Sequence, residues 1–160
     1  MHLAIPVSRS CYSAKPLNHP IINKETNNKM ANIKNLRMWE SICTDARIGI
    51  SKSLFGLRTT ATYRPTGSVI DAYTLEYSPE DGQRIRRILE LPREKRAAAI
   101  GDFHPRTADY GNYMAEVGMS RDRAFLAVRL YQFQSLNYEA VTDALVFEGD
   151  EAATVARLFL

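Results

Sequence analysis

The chain has 160 residues, of which 45% are hydrophobic and 24% are charged, and its formal net charge is +3. This length suffices for one hydrophobic core and is too short for two ordinary domains. No run reaches the ~18 consecutive apolar residues of a membrane-spanning helix, so no membrane role is expected. The two cysteines, Cys11 and Cys43, lie in no CxxC motif and cannot form a disulfide framework. This usage indicates a soluble protein of a reducing compartment, the cytoplasm.

The excess positive charge lies at the start of the chain. Four of the 21 basic residues and one of the 18 acidic residues fall in positions 1–29, so 17 of each sign remain and residues 30–160 are neutral. Three prolines and four asparagines predict a disordered arm over residues 1–29. The arm has a faint transit-peptide character, but we favour a tail or an upstream extension with the biological start at Met30. Net charge alone therefore indicates no nucleic-acid footprint.

Two elements are predicted before residue 78. Apolar residues recur every three or four positions over residues 33–50, which predicts an amphipathic helix ending near Gly49. Residues 57–64 (LRTTATYR) and 69–77 (VIDAYTLEY) are rich in β-branched and aromatic residues and flank a Pro-Thr-Gly turn signal. Residues 57–77 are therefore predicted to form a β-hairpin.

The clearest local signal is Ser78-Pro79-Glu80-Asp81. Serine supplies an N-cap oxygen, proline suits the first helical position, and the acids favour the positive end of the helix dipole. A helix is predicted from this point to about Leu91. Pro92 interrupts it and opens a second short helix, PREKRAAAI, which stops at Gly101.

Residues 109–134 permit two interpretations. In the first, residues 109–117 and 121–131 are the helices of a helix-turn-helix, and the second helix carries Arg121 and Arg123. In the second, residues 113–119 and 124–134 are the strands of a hairpin joined by SRDR. The aromatic and β-branched segment FLAVRLYQF favours the hairpin. One further strand, YEAVTDALVFEGD, and a last helix, EAATVARLF, complete the chain.

These elements predict an α+β fold. Residues 30–160 are expected to form a single domain in which an antiparallel sheet, built from a hairpin and a meander, is covered by helices.

Basic residues are concentrated on the two predicted helices that follow Ser78. The cluster consists of Arg84, Arg86, Arg87, Arg93, Lys95 and Arg96. Several of these side chains are expected to project to solvent together and to bind phosphate or an acidic partner. The alternative is a solvated face that pairs with Glu80, Asp81, Glu90 and Glu94 at helical spacing.

One loop has a catalytic composition, because Asp102, His104 and Arg106 lie within five residues. Histidine is the natural general base near neutral pH, but no nucleophile lies nearby in sequence, so we favour a structural loop. No metal site and no cofactor motif is predicted, since His2 and His19 lie in the arm. We therefore name no catalytic residue and favour a non-enzymatic protein.

The favoured function is that of a small accessory or regulatory binding module. It would act through the Arg-rich helices, through the acidic segment 139–151, or through both, on a macromolecular partner. A protein partner is favoured over nucleic acid. The alternatives are a DNA-binding regulator of the winged-helix or helix-turn-helix kind, and a hydrolase-like enzyme that uses the 102–106 loop. A helix over residues 125–133 would favour DNA binding, whereas a strand would remove the recognition helix.

Overall fold

The computed structural model describes residues 46–55 and 59–160. Within these residues, seven strands form one curled antiparallel sheet, and three helices pack on one of its faces. The strands are β1 (Ile48–Lys52), β2 (Thr59–Tyr63), β3 (Ser68–Tyr77), β4 (Tyr113–Ser120), β5 (Phe125–Gln134), β6 (Asn137–Ala140) and β7 (Leu145–Glu148). The helices are α1 (Pro79–Glu90), α2 (Arg93–Ile100) and α3 (Gly149–Ala156). The fold is α+β, as predicted, although the sheet dominates over the helices.

The sheet has the order β1-β2-β3-β4-β5-β6, and β7 also pairs with β5. The hairpin predicted over residues 57–77 is confirmed as β2 and β3. The helix predicted over residues 33–50 is wrong at its end, where β1 begins at Ile48 and pairs with β2, Ile48 opposite Tyr63. Pairing with β2 and burial of Ile48 prevail over the helical spacing of the apolar residues. Residues 33–45, like the predicted arm over residues 1–29, lie outside the described residues.

Residues 113–134 form a β-hairpin, so the helix-turn-helix interpretation is wrong. Strands β4 and β5 pair from Tyr113 opposite Gln132 to Met119 opposite Leu126. Every residue of β4 is buried, because this central strand has neighbours on both edges and packed side chains on both faces. The turn is stabilised locally: the Ser120 hydroxyl accepts the Phe125 N–H at 2.9 Å and donates to Asp122 at 2.6 Å. No recognition helix exists over residues 121–131.

The single strand predicted to begin at Tyr138 is also corrected, because it is divided into β6 and β7. Ala140 lies opposite Tyr131 and Leu145 lies opposite Val128, so four residues of this segment face only two residues of β5. The Leu130 N–H donates to the Thr142 hydroxyl at 3.0 Å, which replaces a strand-to-strand bond. Because the two extra residues form an even number, side-chain alternation continues from β6 into β7.

The helical layer follows the local sequence signals. The Ser78 hydroxyl accepts the Asp81 N–H at 3.2 Å, and α1 ends before Pro92, as predicted. Helix α1 buries Ile85 and Leu89 against β3, β4 and β5. Gly82 permits this close approach, because a Cβ at this position would lie 2.2 Å from the Tyr113 ring. No helix of the described residues is long and apolar enough to cross a membrane.

The opposite face of the sheet is curled, so that β2 contacts β5 and β7. The Tyr63 ring stacks on Phe125 with centroids 5.3 Å apart, and the Tyr63 hydroxyl donates to Glu148 at 2.7 Å. This contact closes a second apolar cluster of Ile48, Ala61, Tyr63, Ile70, Ala72, Phe125 and Ala127.

Candidate macromolecule-binding surface

The six basic residues of α1 and α2 divide into two groups. The residues of the first group form ion pairs with glutamates of the same chain. Arg86 pairs with Glu90 one turn later, with Nε and Oε2 3.3 Å apart. Arg93 and Arg96 both pair with Glu151 of α3. Of the acids expected to neutralise this cluster, Glu90 does so, whereas Glu151, 55 residues from Arg96, was missed. Sequence spacing within a helix cannot detect a partner from another helix.

The second group consists of Arg84, Arg87 and Lys95, which we call the basic face. All three residues are exposed, and none forms an ion pair with another described residue. The Arg84 guanidinium lies 4.0 Å above the centre of the Phe103 ring, a cation–π contact that directs this side chain over the loop. The basic face is therefore the part of the predicted Arg-rich cluster that remains available to a ligand.

The loop over residues 101–106 is fastened to the same side of the molecule. The Arg106 N–H donates to the Asp81 carboxylate at 3.0 Å, and Arg157 donates to the Gly101 carbonyl at 2.5 Å. Asp102, His104 and Arg106 are exposed. In the described part of the chain, no hydrogen bond or ion pair joins their three side chains. The polar loop site therefore stays a prediction, and the loop places Phe103 beneath Arg84.

Arg121 and Arg123 lie in the turn between β4 and β5 rather than on a helix. Arg121 forms a two-point contact with Asp71 of β3, with distances of 3.0 and 3.2 Å. The hydrogen bonds and charge of Asp71 raise the pKa of Arg121. Arg123 is exposed and has a positive φ of 61°. These two arginines therefore lie on a turn of the sheet and not on the helices that carry the basic face. Arg121 is also paired within the protein.

The acidic segment 139–151 is also partly paired. Glu148 contacts Arg47 and the Tyr63 hydroxyl, and Glu151 contacts Arg93 and Arg96. The remaining acids, Glu139, Asp143 and Asp150, are exposed. The two oppositely charged surfaces predicted from the sequence therefore meet each other between α2 and α3.

A cavity of about 180 Å³ lies at this meeting point. Its walls are formed by Arg93, Arg96, Ala97, Asp150, Glu151, Thr154 and Val155. The Arg96 side chain is 16% exposed, lies 5.0 Å from the centre of the Phe147 ring and has a buried Nε that donates to no described group. The cavity is therefore lined by a guanidinium that other side chains and a carbonyl hold in place.

Sequence reasoning missed a buried polar group on the curled face of the sheet. Glu116 is completely buried in β4 and lies opposite Arg129 of β5. The Tyr131 hydroxyl donates to Glu116 at 2.5 Å, and burial raises the pKa of this hydroxyl. The signal in the sequence was a single charged residue within the otherwise uncharged strand YMAEVGMS. Such a residue in a central strand predicts a paired interior charge.

A second polar group holds the chain before β4. The Glu76 carboxylate accepts the Gly111 N–H at 2.9 Å, and the Tyr138 hydroxyl donates to the Gly111 carbonyl at 3.0 Å. Burial raises the pKa of Glu76 above its usual value of 4.5 and that of Tyr138 to about 12. These contacts hold Tyr110, which is 83% exposed and has a φ of 58°. The hydrogen bonds of Glu76 and Tyr138 to Gly111 fix the loop that precedes β4.

Over residues 46–55 and 59–160, no cluster of three histidine, cysteine, aspartate or glutamate residues has a geometry that could hold a metal ion.

The chain matches no protein-family model, no curated protein and no solved structure.

Proposed function

We propose that this protein is a non-enzymatic binding module that recognises an acidic segment of a partner protein through its basic face. One observation carries the proposal: Arg84, Arg87 and Lys95 are exposed without an acidic partner in the described structure, although their neighbours are paired. Guanidinium groups bind carboxylates through two parallel hydrogen bonds, which gives direction as well as attraction. The half-buried Phe103 ring beneath Arg84 adds an apolar contact and limits the motion of that side chain.

A protein partner is favoured over nucleic acid for two reasons. Residues 121–131, which would have read DNA as a helix, form a turn and a strand instead. The surface of α1 and α2 also carries the exposed acids Glu80, Glu90 and Glu94 between its cations. Such mixed charge opposes a continuous phosphate backbone, whereas an acidic peptide can place its carboxylates where the cations lie.

The proposal is tested by fluorescence anisotropy with two labelled probes, a glutamate-rich peptide and a DNA duplex of mixed sequence. The wild-type protein is compared with the triple variant Arg84→Gln, Arg87→Gln, Lys95→Gln at physiological ionic strength. We expect the variant to bind the peptide at least about tenfold more weakly, because three direct attractions to its carboxylates are removed.

The matched control is the variant Lys52→Gln, Arg64→Gln, Arg123→Gln. It removes the same charge from three exposed cations outside the helices, so its peptide affinity should change by less than about twofold. Equal losses in the two variants would reduce the effect to net charge and overturn the assignment of the basic face. Tighter binding of the duplex than of the peptide would overturn the protein-partner proposal in favour of nucleic acid.

A further inference from the structure

We propose that the cavity between α2 and α3 is a carboxylate-binding subsite, that Glu151 in its wall pairs with Arg93 and Arg96 in the free protein, and that an acidic side chain of the partner enters the cavity and replaces Glu151 as their partner on binding. The inference rests on the proposed function and adds Arg93 and Arg96 to the basic residues that would contact the partner. It identifies Glu151 as an internal substitute for the ligand.

Arg96 is the fixed element of the subsite. One of its terminal nitrogens contacts Glu151, and the other donates to the Leu89 carbonyl at 3.4 Å. The guanidinium also faces the Phe147 ring. These three contacts hold the group in place, while its Nε remains without an acceptor among the described residues. Because the guanidinium is already held in this way, it loses little further conformational freedom when it binds a second acceptor.

Arg93 is the adjustable element. Its Nε lies 3.8 Å from Oε1 of Glu151, whereas Arg96 contacts Oε2 of the same carboxylate. The Arg93 side chain is 73% exposed. It can therefore change conformation to contact an incoming carboxylate and still remain hydrated. Glu151 thus joins two guanidinium groups through its two oxygens, which is the contact that a partner carboxylate would make.

The cavity and the position of Glu151 permit the exchange. The cavity of about 180 Å³ can hold several water molecules, so a partner carboxylate has room to approach the two arginines. Glu151 lies in the first turn of α3. A displaced Glu151 side chain that turns toward solvent stays near the positive end of the helix dipole, which favours its charge. The displaced group is therefore not left as a buried, unpaired ion.

The test uses the same glutamate-rich peptide with the variants Glu151→Gln and Asp150→Asn. We expect Glu151→Gln to bind the peptide about fivefold to tenfold more tightly than wild type, because both arginines lose their internal partner. Asp150→Asn is the matched control: it removes one negative charge from the same cavity wall, but Asp150 forms no ion pair within the described structure. Its gain should stay below about twofold.

A double variant locates the effect. Arg93→Gln in the Glu151→Gln background should remove most of the gain, because it deletes one of the two released cations. An unchanged gain would place the effect elsewhere and would overturn the subsite. Melting curves of each variant identify any loss of folding.

A second measurement uses the wild-type protein and so does not depend on how a variant folds. The Nε–H signal of Arg96 is followed by nuclear magnetic resonance during titration with the peptide. It should shift on binding, because the environment of this donor changes. No shift at saturation would overturn the inference.

The two proposals fail in different ways. If neither the wild-type protein nor Glu151→Gln binds the peptide measurably, the proposed function is wrong. If the wild-type protein binds through the basic face but Glu151→Gln gains no more than Asp150→Asn, only the subsite fails.

Discussion

The sheet and the helical layer each contain an enclosed glutamate that faces an arginine, yet the two pairs differ in their access to water. Glu116 is completely buried in the middle of β4, opposite Arg129, and it accepts the Tyr131 hydroxyl. The Glu151 side chain is 17% exposed at the start of α3, beside a cavity. A glutamate beside an arginine is thus sealed from water in the sheet and reached by water in the helical layer.

The two sites differ in whether water can reach the charged groups after they separate. In the sheet, a lost partner leaves a charge that no water can reach, so separation is expensive. Between the helices, the Glu151 side chain keeps 17% of its surface exposed and lies beside a cavity, so water can reach the separated carboxylate and its separation should cost less than in the sheet. We therefore expect the interior contacts of Glu116 to persist and the ion pair of Glu151 to be the one that opens.

The largest expected effect is the unequal result of removing the two carboxylates. Glu116→Ala should lower the free energy of unfolding by about 3–5 kcal/mol, because it leaves buried polar groups without their charged partner. Glu151→Ala should lower it by less than half of that amount. Urea denaturation of both variants measures the two differences. Equal losses would contradict the contrast between the sheet and the helical layer.

A smaller effect is expected at the first turn of α1, where the helical layer depends on a local contact. Ser78→Ala removes the acceptor of the Asp81 N–H and should lower the free energy of unfolding by about 0.5–2 kcal/mol. Ser78→Asn, which retains an acceptor, should recover most of this loss. A Ser78→Ala denaturation curve that coincides with wild type would show that the cap is replaced by water.

The smallest effect concerns Glu76, whose side chain is half-buried in the sheet. Burial raises its pKa above the usual 4.5, so the folded protein keeps a proton that the unfolded chain releases. Glu76 therefore contributes stability that is complete below pH 4.5 and is lost as the pH rises through the folded pKa. Glu76→Gln removes this dependence and preserves an acceptor for the Gly111 N–H.

Thermal denaturation between pH 4 and pH 8 checks the direction. The stability of Glu76→Gln relative to wild type should rise with pH across the range above 4.5. A difference that stays constant, or one that falls, would show that the surrounding hydrogen bonds outweigh desolvation at this carboxylate.

Local chemistry in the sequence determined the helices and most of the strands. Ser78-Pro79-Glu80-Asp81 marked the start of α1, and Pro92 marked the break before α2. The segment FLAVRLYQF indicated β5 correctly against the helical alternative. These signals succeed because caps, ring constraints and side-chain shape act on the nearest residues, whatever the rest of the fold.

The tertiary structure alone decided which of these elements and charges meet. β1 is a strand because β2 provides a partner, although its residues continue a helical pattern in the sequence. Arg96 contacts Glu151 across 55 positions, which divides the Arg-rich cluster into a paired part and the exposed basic face. Strand register likewise places Glu116 opposite Arg129. Such pairings depend on distance in space and on exclusion of water, and neither quantity is encoded by local spacing along the chain.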